Sequence, residues 1–191
     1  MDQAFEARYQ EYMALVAQRV TALHLGPLQD HEKKPTKEDF WKKNTIVVGP
    51  VGTGKTSLLR RIAYHAVLAG YRVRGGYVIE ILSNLKDPQK MKPLMSWLES
   101  GNMLILDDID KSLGTQYELD RLLLLVDRYW VKKYPVITSM NLSPEALEKK
   151  LSTVRGLNFK EEAKALLSRL KAQATQIVTE GPDLRQQGGT Q

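Results

Sequence analysis

Apolar residues at Phe5, Tyr9, Tyr12, Met13, Val16, Val20 and Leu23 recur every three to four positions, the spacing of one helical face. Gly26-Pro27 follows Leu25 and supplies a stop, so the pattern predicts an opening helix that ends there. Residues 28–44 are polar and charged and read as a connector. Thr45-Ile46-Val47-Val48 is then a short apolar strand that runs straight into a glycine-rich turn. Helical periodicity from Ser57 to Ala69 stops at Gly70, a strand around Tyr71–Arg74 ends at Gly75-Gly76, and Val78–Lys86 is helical. Pro88 and Pro93 flank Gln89–Lys92, which predicts a broken or two-piece helix reaching Glu99. Met103–Leu106 is a buried type of strand ending in acids, Gln116–Lys132 a long helix, and Pro135–Thr138 another strand. Ser143-Pro144 offers an N-cap followed by proline at the first helical position. Phe159–Ala172 is helical, and Gln176–Thr179 forms the last strand.

Strands alternating with helices imply an α/β fold, a parallel sheet sandwiched between helices. The expected division is an N-terminal helix and charged connector over 1–44, a core over 45–181, and a polar, flexible tail over 182–191. A length of 191 residues suits one well-buried domain rather than two. No run approaches the roughly 18 apolar residues of a membrane span, and the first residues lack the pattern of a secretory signal. A cytoplasmic location without membrane contact is expected. With no cysteine there is neither a disulfide framework nor a thiolate zinc site. The three histidines lack metal-ligand spacing, so a catalytic metal is expected to arrive with its substrate. The net charge of +6 suits a polyanionic partner, although such an excess also simply aids solubility.

Gly49-Pro50-Val51-Gly52-Thr53-Gly54-Lys55-Thr56 matches G-x-x-x-x-G-K-[ST] in full, with a strand before it and a helix after. Glycines let the backbone wrap around phosphate oxygens, and the helix starting at Lys55-Thr56-Ser57 aims its positive end at the same anion. Lys55 is placed for the β- and γ-phosphates of ATP, and Thr56 for Mg²⁺. This predicts a P-loop NTPase. After the strand Met103–Leu106 come Asp107, Asp108 and Asp110. Asp107 is assigned to Mg²⁺, directly or through water, and Asp108 to deprotonating the attacking water. Asp110 reads as a solvated loop acid. At the next strand end, Asn141 suits a hydrogen bond to the γ-phosphate or the attacking water; the plain alternative is a turn residue before Ser143.

This order of motifs resembles the AAA+ ATPases, and within them the DnaC/IstB family of helicase loaders and transposition ATPases. The match rests on GPVGTGKTSLLRRIAYHAVLAGYRV, MLILDDID, YELDRLLLLVDRYW, PVITSMNLSPEAL, LLSRL and EGPDLR, and covers about Thr45 to Arg185. The resemblance implies that Arg169, in LLSRL, is an arginine finger acting on the ATP of a neighbouring subunit, and that Arg185 senses the same nucleotide. It also implies a homo-oligomeric ring or spiral with ATP at subunit interfaces, single-stranded DNA as a partner, and a replicative helicase as client. In the alternative, a transposase is the client and duplex DNA the support. Departures are a longer segment between Leu151 and Leu166, Asp-Asp in place of Asp-Glu, and no separate helical lid after the last strand. Lys86, Lys90, Lys92 and Lys111 are candidates for DNA phosphates, and Trp97 and Tyr117 for base stacking. A small-molecule kinase, or a module using ATP only as a switch, is the competing class.

Overall fold

Five short strands rich in Val, Ile and Leu form the frame: β1 (Thr45–Val48), β2 (Val73–Tyr77), β3 (Met103–Asp107), β4 (Val136–Met140) and β5 (Thr175–Val178). In the computed structural model, which describes residues 3–34, 39–111, 113–152 and 159–183, they make one parallel sheet in the order β2-β3-β4-β1-β5. The helices are α1 (Gln3–Thr21), α2 (Lys55–Leu68), α3 (Val78–Leu85), α4 (Pro88–Glu99), α5 (Gln116–Val131), α6 (Pro144–Ser152) and α7 (Lys160–Lys171).

Alternation along the central strands feeds two cores. Ile46, Val48, Leu104 and Leu106 face α3, α5, α6 and α7, whereas Val47, Met103, Ile105 and Ile137 face α1 and α2. Both faces are covered, as parallel strands require, since their inward and outward side chains are alike apolar. Each such side chain contributes about 1.5–3 kcal/mol by leaving water.

Two sequence boundaries shift for physical reasons. The strand expected to stop at Gly75-Gly76 runs through them to Tyr77, because β2 pairs residue by residue with β3 up to Tyr77 opposite Asp107. A Cβ on Gly75 would lie 1.8 Å from the Ile105 carbonyl oxygen, so glycine is what permits this approach. The stretch flanked by Pro88 and Pro93, expected as a broken or two-piece helix reaching Glu99, is instead one helix with Pro93 inside it. Asp87 caps α4 by accepting from the Gln89 N–H at 2.9 Å, with Pro88 at the first helical position.

The opening helix lies on α2 through its second half. Val16, Val20, Leu23 and Leu25 are buried with Leu59, Ile62 and Ala63, but Tyr9 and Tyr12 are 47% and 44% exposed rather than part of the buried stripe. The connector is also anchored. Glu32 is fully buried and accepts from Arg60 Nε at 2.9 Å, Ser57 Oγ at 2.6 Å and the Gln29 N–H at 2.9 Å. Arg60 in turn donates through Nη1 to the Leu25 carbonyl at 2.7 Å. Burial pushes the Glu32 carboxyl up, but Arg60, Ser57 and the backbone donor together hold it below its usual range.

Glu32→Gln is expected to destabilise the fold by about 3 kcal/mol at pH 7, because it leaves a largely buried guanidinium without its counter-ion. The folded carboxyl lies below its unfolded value, so its contribution is complete above that value and is lost as pH falls through the folded one. Urea unfolding of both proteins should therefore show a gap at neutral pH that narrows in acid. A constant gap would contradict the ionised pair.

Candidate functional site

The sheet order places the C-terminal ends of β1, β4 and β3 side by side, and each carries a piece of the expected chemistry. The Gly49–Thr56 loop follows β1, Asn141 follows β4, and Asp107 ends β3. Ligands of open parallel sheets bind at such carboxyl ends. A cavity of about 360 Å³ opens here, lined among others by Lys55, Thr56, Ser57, Asp108 and Asn141.

Gly52 and Gly54 adopt left-handed φ values of +82° and +85°, which wrap the loop into the first turn of α2. Lys55 is buried; its Nζ donates to the carbonyls of Gly49 at 2.8 Å and Pro50 at 2.7 Å, and to Asn141 Oδ1 at 2.9 Å. Burial lowers the ammonium pKa, with the nearby Asp108 carboxylate opposing that shift. These acceptors are all neutral, and phosphate oxygens would be stronger partners for the same cation.

The loop is braced from β5. The Thr179 N–H donates to the Val48 carbonyl at 2.7 Å, and the Thr53 and Thr179 hydroxyls share a hydrogen bond of 2.7 Å. A Cβ on Gly49 would come within 2.1 Å of Thr179 Oγ1, and one on Gly52 within 2.0 Å of the Asp183 carboxylate. Pro50 completes the turn by accepting from Thr53 Oγ1 at 2.8 Å, and Val51 lies exposed at the cavity's edge.

Asp107 is wholly buried and accepts from Thr56 Oγ1 at 2.7 Å and from Ser139 Oγ. Burial pushes its carboxyl up, and the two hydroxyls oppose this. A hard divalent cation takes oxygen donors of this kind, so Thr56 and Asp107 fit one side of a Mg²⁺ shell. Among the described residues no group of three or more His, Asp or Glu is placed to hold an ion. Asp108 has φ +56°, its N–H donates to Ser139 Oγ at 2.9 Å, and its carboxylate borders the cavity in an ion pair with Lys111 at 2.5 Å.

Asp110 differs from its expectation as a solvated acid. It is buried and accepts from the Asn141 N–H at 2.8 Å, Asn141 Nδ2 at 3.2 Å and the Leu142 N–H at 3.0 Å. Asn141 is thus held at both ends of its amide, by Asp110 and by Lys55. Its only sequence signal is the third acid of the Asp-Asp-Ile-Asp run. His31, Arg60 and Tyr77 also border the cavity and were not foreseen; the Ser57 hydroxyl is already committed to Glu32.

Arg169 does not line the cavity. On α7 it pairs with Asp127 of α5 and donates through Nη1 to the Ala165 carbonyl at 2.9 Å. Its own carbonyl accepts from Asn44, the residue before β1, at the opposite end of that strand from the phosphate loop. Arg185 lies outside the described residues. Among the DNA candidates, Lys86 pairs with Glu118 at 2.7 Å and Lys90 with Asp87 at 3.7 Å. Trp97 packs against both cores under the Arg74 guanidinium, and Tyr117 donates to the Leu85 carbonyl at 2.8 Å.

The sequence model of the family described as IstB-like ATP binding protein matches residues 39–191. Among solved structures, the chain is similar to DnaI, with a TM-score of 0.62 and 21% identity over 97% of this chain and 86% of that one. It is similar to the DnaC helicase loader, with a TM-score of 0.52 and 17% identity over 75% and 81%. It is similar to the replication initiator DnaA bound to AMPPCP and single-stranded DNA, with a TM-score of 0.59 and 19% identity over 76% and 43%. The chain thus spans about two fifths of that initiator's length. At these identities the likeness is one of fold. No curated protein matches the sequence significantly.

Gly52→Ala and Gly70→Ala provide a paired test of the braced loop. Both glycines have left-handed φ, but only Gly52 has a neighbour where a Cβ would go. Gly70→Ala is expected to cost about 1 kcal/mol of backbone strain and to leave ATP binding unchanged. Gly52→Ala should weaken binding of a fluorescent ATP analogue at least about tenfold, a loss of about 1.4 kcal/mol. Equal binding by the two variants would contradict the tight packing of the loop.

Proposed function

Since the chain belongs to the IstB-like ATP-binding proteins, the DnaC/IstB branch of the AAA+ fold, we propose that it hydrolyses ATP as a self-assembled helicase loader on single-stranded DNA. The observation that carries this reading is the separation of its parts. Lys55, Thr56, Asp107, Asp108 and Asn141 gather at the carboxyl ends of the central strands, while Arg169 pairs with Asp127 and its carbonyl is held by Asn44 at the amino end of β1. Its guanidinium does not line the phosphate cavity of its own copy, and in this reading it acts on the γ-phosphate held by another copy. The active unit is therefore an oligomer, a ring or spiral with ATP between subunits.

In this reading the loop amides of Gly49–Gly54, with Lys55 and the first turn of α2 through Ser57, hold the phosphates. Mg²⁺, when bound at Thr56 and Asp107, offsets charge on the phosphate oxygens. Asp108 accepts a proton from the attacking water, and Asn141, fixed by Asp110, orients that water or the γ-phosphate. Arg169 from the neighbour stabilises charge building on the transferred group. Arg185 acts as a second nucleotide-sensing arginine. Residues 45–181 act as the ATPase core, with 1–44 as an N-terminal segment and 182–191 as its tail. No helix among the described residues is long and apolar enough to cross a membrane, in keeping with a cytoplasmic role.

Two structural likenesses support the loader reading, to the helicase loader DnaC and to an initiator solved with single-stranded DNA. The family model, named for an IstB-like protein, favours a second reading, a transposition ATPase on duplex DNA serving a transposase. The client separates the two: single strands against duplex.

Arg169→Ala is expected to retain ATP binding and to lose turnover by about a thousandfold or more, the range known for arginine fingers. Wild-type turnover should rise more steeply than linearly with protein concentration and be stimulated by single-stranded DNA. Normal turnover in Arg169→Ala would contradict the trans finger, and stimulation by duplex alone would favour the transposition reading.

A further inference from the structure

The end of the sheet opposite the phosphate loop carries a second cavity, of about 520 Å³, between the end of α5 and the residues that enter β1, β4 and β5. Lys42, Lys43 and Lys133 border it together with Trp130 and Tyr134, and among the described residues no acidic side chain does. Lys42 pairs with Asp39, but both are well exposed and the pair is solvated. Lys43 and Lys133 form no ion pair among the described residues. Lys132 adds a further charge, its Nζ 6.0 Å from the Tyr134 ring.

The cleft is preformed. Asn44 donates through Nδ2 to the carbonyls of Arg169 at 2.9 Å and Ala172 at 3.2 Å, and its Oδ1 accepts from the Val136 N–H at 2.9 Å. That fixes the floor to the starts of two strands. Tyr134 is held edge-on to the buried Tyr129, with ring centroids 6.2 Å apart, while its N–H donates to the Tyr129 carbonyl at 2.9 Å. Lys133, with φ +55°, closes α5 by donating its N–H to the Trp130 carbonyl at 3.0 Å. Against this fixed frame Trp130 remains 46% exposed and Val131 78% exposed.

We propose that this basic, aromatic-walled cleft is a binding site for single-stranded nucleic acid, separate from the ATP site and from the lysines around α4. An indole face stacks on any unpaired base, whereas bases in duplex are already stacked and unavailable. Ammonium groups without bidentate geometry meet phosphates as point charges, which favours the backbone over sequence. An acidic peptide would satisfy the lysines but leave the exposed rings without a comparable partner. The inference does not rest on ATP hydrolysis.

The test is fluorescence anisotropy of a labelled oligo-deoxythymidylate on the full chain without ATP, across a salt series. Trp130→Ala is expected to weaken binding about tenfold, with Trp130→Phe restoring most of it. The Lys43→Glu/Lys133→Glu protein should bind more weakly and with a shallower salt slope. The Trp130 effect should persist in a Lys86→Glu/Lys92→Glu background, which separates this cleft from the DNA contacts near α4. All variants should bind ATP normally, showing an intact fold. The proposal is overturned if the wild type does not bind the oligonucleotide, or if Trp130→Ala binds it undiminished. It is equally overturned if duplex DNA or polyglutamate competes as well as the single strand.

Discussion

Asp107 is a carboxylate with no access to water, and the site is organised around it. By accepting from Thr56 and Ser139 it ties the end of β3 to the first turn of α2 on one side and to β4 on the other. Ser139 passes the constraint on, since its oxygen also receives the N–H of Asp108 and so fixes the left-handed turn that brings Asp108 to the cavity. A buried acid is costly unless its lone pairs are satisfied. The sheet order meets that requirement by putting β3, β4 and β1 next to one another.

Two further buried acids repeat the principle at the margins. Asp110 gathers the backbone and side chain of Asn141, and Glu32 gathers Arg60, Ser57 and the connector. Each replaces water with several donors, so each fixes a loop that apolar packing alone would leave free to shift. Positions at the edge of the site are therefore set by polar contacts, while the positions of the strands are set by Val, Ile and Leu. The N-terminal segment belongs to this arrangement, because Glu32 reaches the same turn of α2 that carries the phosphate loop.

What could be read from the chain alone was whatever the chain encodes locally. The phosphate loop, the acids after β3, Asn141 and the alternation of strands and helices depend on residues within a few positions of each other, and the α/β sheet and the family follow from them. Asp110, Glu32 and Thr179 were not legible in their roles, because their partners lie 31, 28 and 126 positions away and no local pattern marks a long-range polar contact. Gly75 and Gly76 read as a stop because glycine usually weakens strands; here the close approach of β3 required Gly75, and that of the Leu23 carbonyl required Gly76. Tyr9 and Tyr12 fell into the helical stripe by spacing, yet α1 is covered only from its middle onward. Amphipathic period marks an apolar face, not how much of it a neighbour covers.

In the proposed assembly one copy's nucleotide site is completed by another copy's Arg169. The most direct measurement mixes two variants, each inactive by this account: Asp108→Asn, which keeps the finger, and Arg169→Ala, which keeps the base. Their mixture contains interfaces with both groups intact, so ATP turnover should reappear to about a quarter of the wild-type rate if the copies assort freely into head-to-tail contacts. Turnover no higher than the sum of the separate variants, in samples shown to co-assemble, would contradict a shared site.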